Sequence, residues 1–368
     1  MALYDLVFEG GGAKGAAFSG AMDAFAKAGH GHRRILGTSA GAITAALIGA
    51  GYTADELLQA CTETLPETHT PVFTTFMDTP AASDFSPEMR QNSQTMALLK
   101  QVRIPVIGPA LDTMTLDALL DVELYREVFS FNECGGFYAG NAFLNWLRAK
   151  LQAKGINPDI TWKDFALRTG SDVSVVTSDV TEHEMVVLNS RTAPDCPVAL
   201  SVRMSMSIPF VWREMIWEES WGLYRGRSKT GHVFVDGGVL SNFPVALMVE
   251  TGPEISAIMG DTDPHAAGTI GLMLDKDLAV PGATNSDTRR PRLRSADRVT
   301  RLIDTMTDTS DDAVMRLYPQ LICHLPVHGY GTTEFRMSQE RMTLLVNAGR
   351  GAMNAYLNRL AATATKSA

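Results

Sequence analysis

Cysteine is scarce and scattered in this chain of 368 residues: Cys61, Cys134, Cys196 and Cys323 show no CxxC spacing. That pattern fits isolated reduced thiols better than a disulfide frame or a zinc site. Long apolar runs are missing as well, none approaching the roughly 20 residues of a membrane span, so any membrane contact is expected to be peripheral. The N-terminus MALYDLVFEGGG lacks a basic start followed by an apolar stretch, which leaves no secretory signal and an expected cytoplasmic location. Positive charge is in deficit, 32 Lys and Arg against 41 Asp and Glu, and the net charge of -9 argues against binding a nucleic-acid polymer. With 45% hydrophobic and 20% charged residues, the composition is neither disordered nor fibrous. The length accommodates two average domains, or one α/β domain with insertions.

What the chain does have is glycine beside chemically useful side chains. GTSAG sets Ser39 between Gly37 and Gly41, where the apolar strand Arg33 to Leu36 passes into a helix of small and apolar residues from Ala42 onward. This is the pattern of a nucleophile elbow, in which the serine projects from a strained turn while strand and helix run so close that the positions two before and two after it tolerate almost no side chain. Thr38 and Ala40 complete the turn.

A second glycine cluster, EGGGAKG at Glu9 to Gly15, follows the apolar strand Leu3 to Phe8 and precedes the helical pattern AAFSGAMDAFAKAG. Backbone N–H groups of Gly10, Gly11, Gly12, Ala13, Lys14 and Gly15 can turn inward there, and the helix start adds partial positive charge, so the loop can hold an anion. Lys14, at a helix start, is expected to be exposed, with its N–H mattering more than its ammonium. The same residues satisfy G-x-G-x-x-G through Gly10, Gly12 and Gly15, which keeps a phosphate- or dinucleotide-binding protein in view. Such a site wants an acidic residue about 20 positions on, at the end of the second strand, where this chain has Leu36 and then GTSAG. An anion cradle one crossover before a candidate serine is also the arrangement an oxyanion hole requires.

FVDGG at Phe234 to Gly238 ends an alternating strand, His232 to Asp236, in a carboxylate followed by Gly237 and Gly238. Strand tips at the carboxyl ends of an open α/β sheet share one crevice, so Asp236 is expected to reach Ser39 there; the plainer reading is that Asp236 caps a turn. A serine triad needs a histidine, and His265, His324 and His328 all lack a convincing setting. An aspartate acting alone is a weak base near pKa 3.9 unless burial raises that value.

In order, these three motifs resemble the patatin-like phospholipase family, which combines GGGx[KR]G, GxSxG and DG[GA]. The resemblance extends to VALSVRMSMSIPFVW at Val198 to Trp212, SNFPV at Ser241 to Val245 and TTEF at Thr332 to Phe335. It covers roughly residues 3 to 60 and 130 to 270, and more weakly 325 to 360. It implies a single catalytic domain over 1–368, of three α/β/α layers around a central, mostly parallel sheet. It further implies a lipid acyl hydrolase of phospholipase A or lysophospholipase type, with Ser39 as nucleophile, Asp236 as its only partner and the glycine loop as oxyanion hole, Gly11 and Gly12 foremost. No metal, calcium or other cofactor is implied, and the partner is a membrane phospholipid or other acyl-ester lipid. A soluble esterase or acyltransferase on the same dyad is the nearest alternative.

Two stretches depart from the family pattern. The segment 63–130, inserted after the nucleophile helix, is read as a lid or as a packed accessory layer. A cluster of arginines, Arg289, Arg290, Arg292, Arg294, Arg298 and Arg301, can meet lipid head groups or a small anionic regulator, or be a solvated loop entering a charged helix. Trp212, Trp217 and Trp221 suit a membrane interface, the core or an acyl pocket equally. A C-terminal helix is expected over 338–360, with Lys366 to Ala368 frayed.

Overall fold

A computed structural model of the chain describes residues 2–95, 97, 119–261, 268–283, 305 and 316–367. Its sheet strands are β1 (Leu3–Phe8), β2 (Gly31–Thr38), β3 (Asp172–Asp179), β4 (Glu184–Leu188), β5 (Met215–Ile216), β6 (Val233–Asp236), β7 (Thr269–Ala279) and β8 (Ile322–His328). Among the described residues they form one sheet in the order β8-β7-β1-β2-β3-β6-β5, with β4 pairing β3. The pairs from β8 through β3 are parallel, while β4 and β6 run antiparallel to β3.

Strand periodicity explains why both faces are covered. Leu6, Phe8, Ile35 and Val175 enter one core, whereas the intervening Val7, Leu36 and Val176 enter another. Successive side chains of a strand point to opposite faces, so near-continuous apolar strands require a layer on each side. Helices α1 (Ala16–Lys27), α2 (Ala40–Gly49) and α4 (Gln339–Ser367) supply the first layer. Helix α3 (Val198–Ser205) also contributes Val198, Val202 and Met204 to that core. The opposite face is covered by Phe243 and the short helices Ala246–Val249 and Pro253–Met259. The expected three-layer α/β/α fold with a mostly parallel sheet is therefore the observed one.

Some boundaries differ from the sequence expectations. Helix α2 starts at Ala40 rather than Ala42, because Ser39 alone makes the turn out of β2. Helix α4 runs on to Ser367, past the expected end at 360, through an alanine-rich stretch of high helix propensity. Within 63–130, Phe85, Leu120 and Phe129 make a small core of their own. Asp78 ties this segment to the body by accepting N–H groups from Gly140, Asn141 and Ala142 at the start of helix Asn141–Ala153. Positions 96 and 98–118 of the insertion lie outside the described residues, as do His265 and the whole Arg289–Arg301 cluster. No helix among the described residues is long and apolar enough to cross a membrane. All four cysteines are free thiols.

Candidate active site

Ser39 occupies the single residue between β2 and α2, at φ 53° and ψ -117°. L-residues rarely adopt such a backbone, and it persists only where the surroundings over-determine it. Two contacts do so here. A Cβ on Gly37 would lie 2.2 Å from the Gly41 carbonyl oxygen, and one on Gly41 would lie 2.3 Å from that of Phe8, so strand, turn and helix meet backbone to backbone. The Ser39 N–H donates to Ser205 Oγ at 2.9 Å, and that hydroxyl donates onward to the Val176 carbonyl. Thr38 Oγ1 reaches the Ser241 carbonyl at 3.4 Å, and the Ala40 methyl abuts Gly15 of the glycine loop.

Asp236 arrives by a different route from the one expected. Strand β6 is antiparallel, so its carboxyl end is not one of a row of parallel tips. Instead β2 and β6 share one edge of β3: Thr38 pairs with Val176, and Asp236 pairs with the next residue, Thr177. The other edge at those positions is taken by β4, through Val187 and Val186. The two strands thus meet end to end, and Ser39 Oγ lies 2.6 Å from Asp236 Oδ2. Asp236 Oδ1 accepts the Gly238 N–H at 2.8 Å, so the carboxylate also makes the turn contact of the plainer reading. Its own N–H donates to the Ser207 carbonyl. Ser205 at the end of α3 and Ser207 two positions on therefore hold one backbone each of Ser39 and Asp236.

Burial sets the electrostatics. Both side chains are buried, and loss of solvation pushes the Asp236 carboxyl up to about 7, against the pull of the Ser39 hydroxyl and the Gly238 N–H. A carboxylate of that basicity can take a proton near neutral pH.

In the glycine loop, the N–H of Gly10 donates to the Asn242 carbonyl, that of Ala13 to Thr332 and that of Lys14 to Gly11. The N–H groups of Gly11 and Gly12 have no hydrogen-bond acceptor among the described residues. Asn242 Nδ2 fastens the loop by donating to Glu9 Oε1 and the Gly10 carbonyl. Lys14 is buried rather than exposed, since the turn at Gly12 folds it inward.

Ser39 borders two spaces of opposite character. One is a groove of about 820 Å³ including its open mouth, walled by Ile43, Cys61, Val72, Phe73, Phe76, Trp146, Met206, Ile208, Trp212, Phe335 and Met337. Val72, Phe73 and Phe76 come from the 63–130 insertion. The other is a polar pocket of about 330 Å³, open solvent included, where Glu9, Lys14, Asn242, Lys276 and Thr332 surround Ser39 and Asp236. Trp212 walls the groove, whereas Trp217 and Trp221 are buried against each other and none of the three is a surface aromatic. His324 pairs with Asp275, and His328 contacts the Lys276 carbonyl; neither borders the two spaces around Ser39. Ser205, Ser207 and Asn242 were visible only as members of the segments that carried the family resemblance, and Lys276 had no sequence signal.

Comparison with known proteins bears on the family to which the chain belongs. A family model described as "Patatin-like phospholipase" matches residues 6–249, about two thirds of the chain. "Uncharacterized protein YqhO" of Bacillus subtilis (strain 168) is 29% identical over 96% of this chain and 98% of its own length. "Probable lipid hydrolase 463L" of Invertebrate iridescent virus 6 is 22% identical over 38% of this chain and 41% of its own. Among solved structures, VipD from Legionella pneumophila is similar at a TM-score of 0.49 and 16% identity, covering 97% of this chain and 67% of VipD.

Proposed function

Because this chain belongs to the patatin-like phospholipase family, we propose that it hydrolyses carboxylic ester bonds of acyl lipids, in the manner of a phospholipase A or lysophospholipase, on a Ser39/Asp236 dyad. The observation that carries the reading is the 2.6 Å contact between Ser39 Oγ and the buried Asp236 carboxylate, at the junction of an apolar groove and a glycine loop. The viral relative whose name reads lipid hydrolase is in accord with it.

The acyl chain lies in the apolar groove and the ester carbonyl oxygen faces the Gly11 and Gly12 N–H groups. Ser39 Oγ attacks the carbonyl carbon while Asp236 takes its proton, and the glycine N–H groups hold the oxyanion; one such donor is typically worth about 10²- to 10³-fold in rate. Collapse breaks the bond to the alcohol, whose oxygen receives the proton from Asp236, leaving acyl-Ser39. Water then attacks that ester, gives a proton to Asp236, and the fatty acid departs as Ser39 regains its hydrogen.

The test is fluorophosphonate labelling of wild type, Ser39→Ala and Asp236→Asn, read by intact mass, with and without anionic phospholipid vesicles. Labelling that Ser39→Ala abolishes and Asp236→Asn slows is the expected result. Saturable binding of a nucleotide with no labelling of wild type under either condition would instead favour a phosphate-binding protein built on the glycine loop.

A further inference from the structure

Arg203, on α3, is buried at 2% exposure and takes no part in the acyl-transfer steps described above. No carboxylate touches its guanidinium among the described residues. Instead Nη1 donates to Ser207 Oγ, and Nη2 to the carbonyls of Ala139 at 2.9 Å and Arg213 at 3.3 Å. Loss of solvation pulls its pKa down to about 10, against the field of Asp78, so the fork stays charged at neutral pH. A buried cation with no anion in contact is costly to hold, which directs attention to what its donors grip.

They grip two things. One is Ser207, whose hydroxyl donates back to the Arg203 carbonyl at 2.7 Å and whose own carbonyl accepts the Asp236 N–H at 2.9 Å. The other is the turn over 139–142. A Cβ on Gly140, which sits at φ 74°, would lie 2.5 Å from Arg203 Cζ, so the guanidinium is seated directly against this turn. Asp78 of the insertion holds the same turn by its N–H groups: its carbonyl accepts that of Ala139, and its carboxylate those of Gly140, Asn141 and Ala142. Anion and cation thus take opposite poles of one turn, N–H groups toward Asp78 and a carbonyl toward Arg203. Two residues before Asp78, Phe76 walls the acyl groove, and its carbonyl accepts Trp212 Nε1 at 2.7 Å.

Building on the Ser39/Asp236 reading, we propose that Arg203 is a positioning residue for acyl transfer, fixing Asp236 through Ser207 to the turn that anchors the 63–130 insertion. The insertion then serves the dyad as well as the groove. Slack at Asp78, Arg203 or Ser207 displaces the carboxylate from Ser39 Oγ, which slows the chemical step and leaves substrate binding little changed.

The experiment measures kcat and KM of full-length Ser207→Ala, Arg203→Lys and the double variant on a butanoyl ester, too short to fill the groove. Each single variant should lower kcat about tenfold or more with KM within about twofold of wild type. The double variant should lose no more than the worse single, as links in series do. Asp78 borders neither space around Ser39, yet Asp78→Asn should lower kcat in the same way, which tests the link even if Arg203→Lys does not fold. Wild-type kcat in Ser207→Ala or Asp78→Asn, a fall in Tm alone, or losses that multiply in the double variant overturns the assignment. Failure of the parent reading shows elsewhere, as ester turnover by the Ser39→Ala protein at the wild-type rate.

Discussion

Replacing Asp236 by Asn should inactivate the protein and yet stabilise it, in a pH-dependent manner. The carboxyl's folded-state value, about 7, lies above the ordinary 3.8, so between those values the folded chain binds more protons than the unfolded one and stability falls as pH rises. The penalty is nearly absent below pH 3.8. It is about 1 kcal/mol at pH 4.5 and reaches about 4 kcal/mol at pH 8, at 1.36 kcal/mol per pKa unit. Asparagine is isosteric and never ionises, so the gain of Asp236→Asn over wild type should be about 3 kcal/mol larger at pH 8 than at pH 4.5. For a chain of this length that is a difference of about 4 °C in Tm. Thermal unfolding of both proteins at both pH values reads it, and the double difference cancels groups common to the two. Activity provides the companion measurement: the reactive carboxylate is about 9% of the total at pH 6 and about 91% at pH 8, so kcat/KM on a short-chain ester should climb about tenfold between them. A Tm gain that does not change with pH, together with an activity midpoint near pH 4, would refute the argument that burial makes this aspartate a base.

Three further outcomes follow from contacts around the same site. Gly41→Ala drives a methyl to within 2.3 Å of the Phe8 carbonyl oxygen; loss of fluorophosphonate labelling together with a stability loss of about 3 kcal/mol or more is expected, by denaturant titration. Ser205→Ala leaves the Ser39 N–H and the Val176 carbonyl unpaired in a buried setting, which should lower kcat about 10-fold or more with little change in KM. A lone fall in Tm without that kcat effect would make Ser205 structural only. Ile43→Trp fills the apolar groove and should cut kcat/KM for a dodecanoyl ester about 10-fold or more relative to a butanoyl ester, compared directly in one assay.

The local grammar of this chain is strong where chemistry and backbone coincide. Strand, glycine turn and helix at Leu3 to Lys27, and strand, serine turn and helix at Gly31 to Gly49, were readable because each depends on neighbours in sequence: apolar alternation, residues without Cβ, small helix formers. The residue types at Ser39 and Asp236 were readable for the same reason. Helix α4 was legible in position but not in length, since helix ends are set by weak, graded preferences.

Long-range pairing decided the rest. Nothing local to FVDGG says that its strand runs antiparallel to β3 and shares an edge with β2, yet that register alone brings Asp236 to 2.6 Å from Ser39, 197 residues away. Burial decided the basicity of the aspartate, because solvation is a property of the packed molecule and not of the residue. The groove is likewise assembled from α2, the 63–130 insertion and residues beyond 330, among others, and the polar pocket from residues between Glu9 and Thr332, so no window of sequence contains either. Sequence by itself determined which elements form and which residue types stand at their turns. Only the fold decided which of them meet, and at what proton affinity.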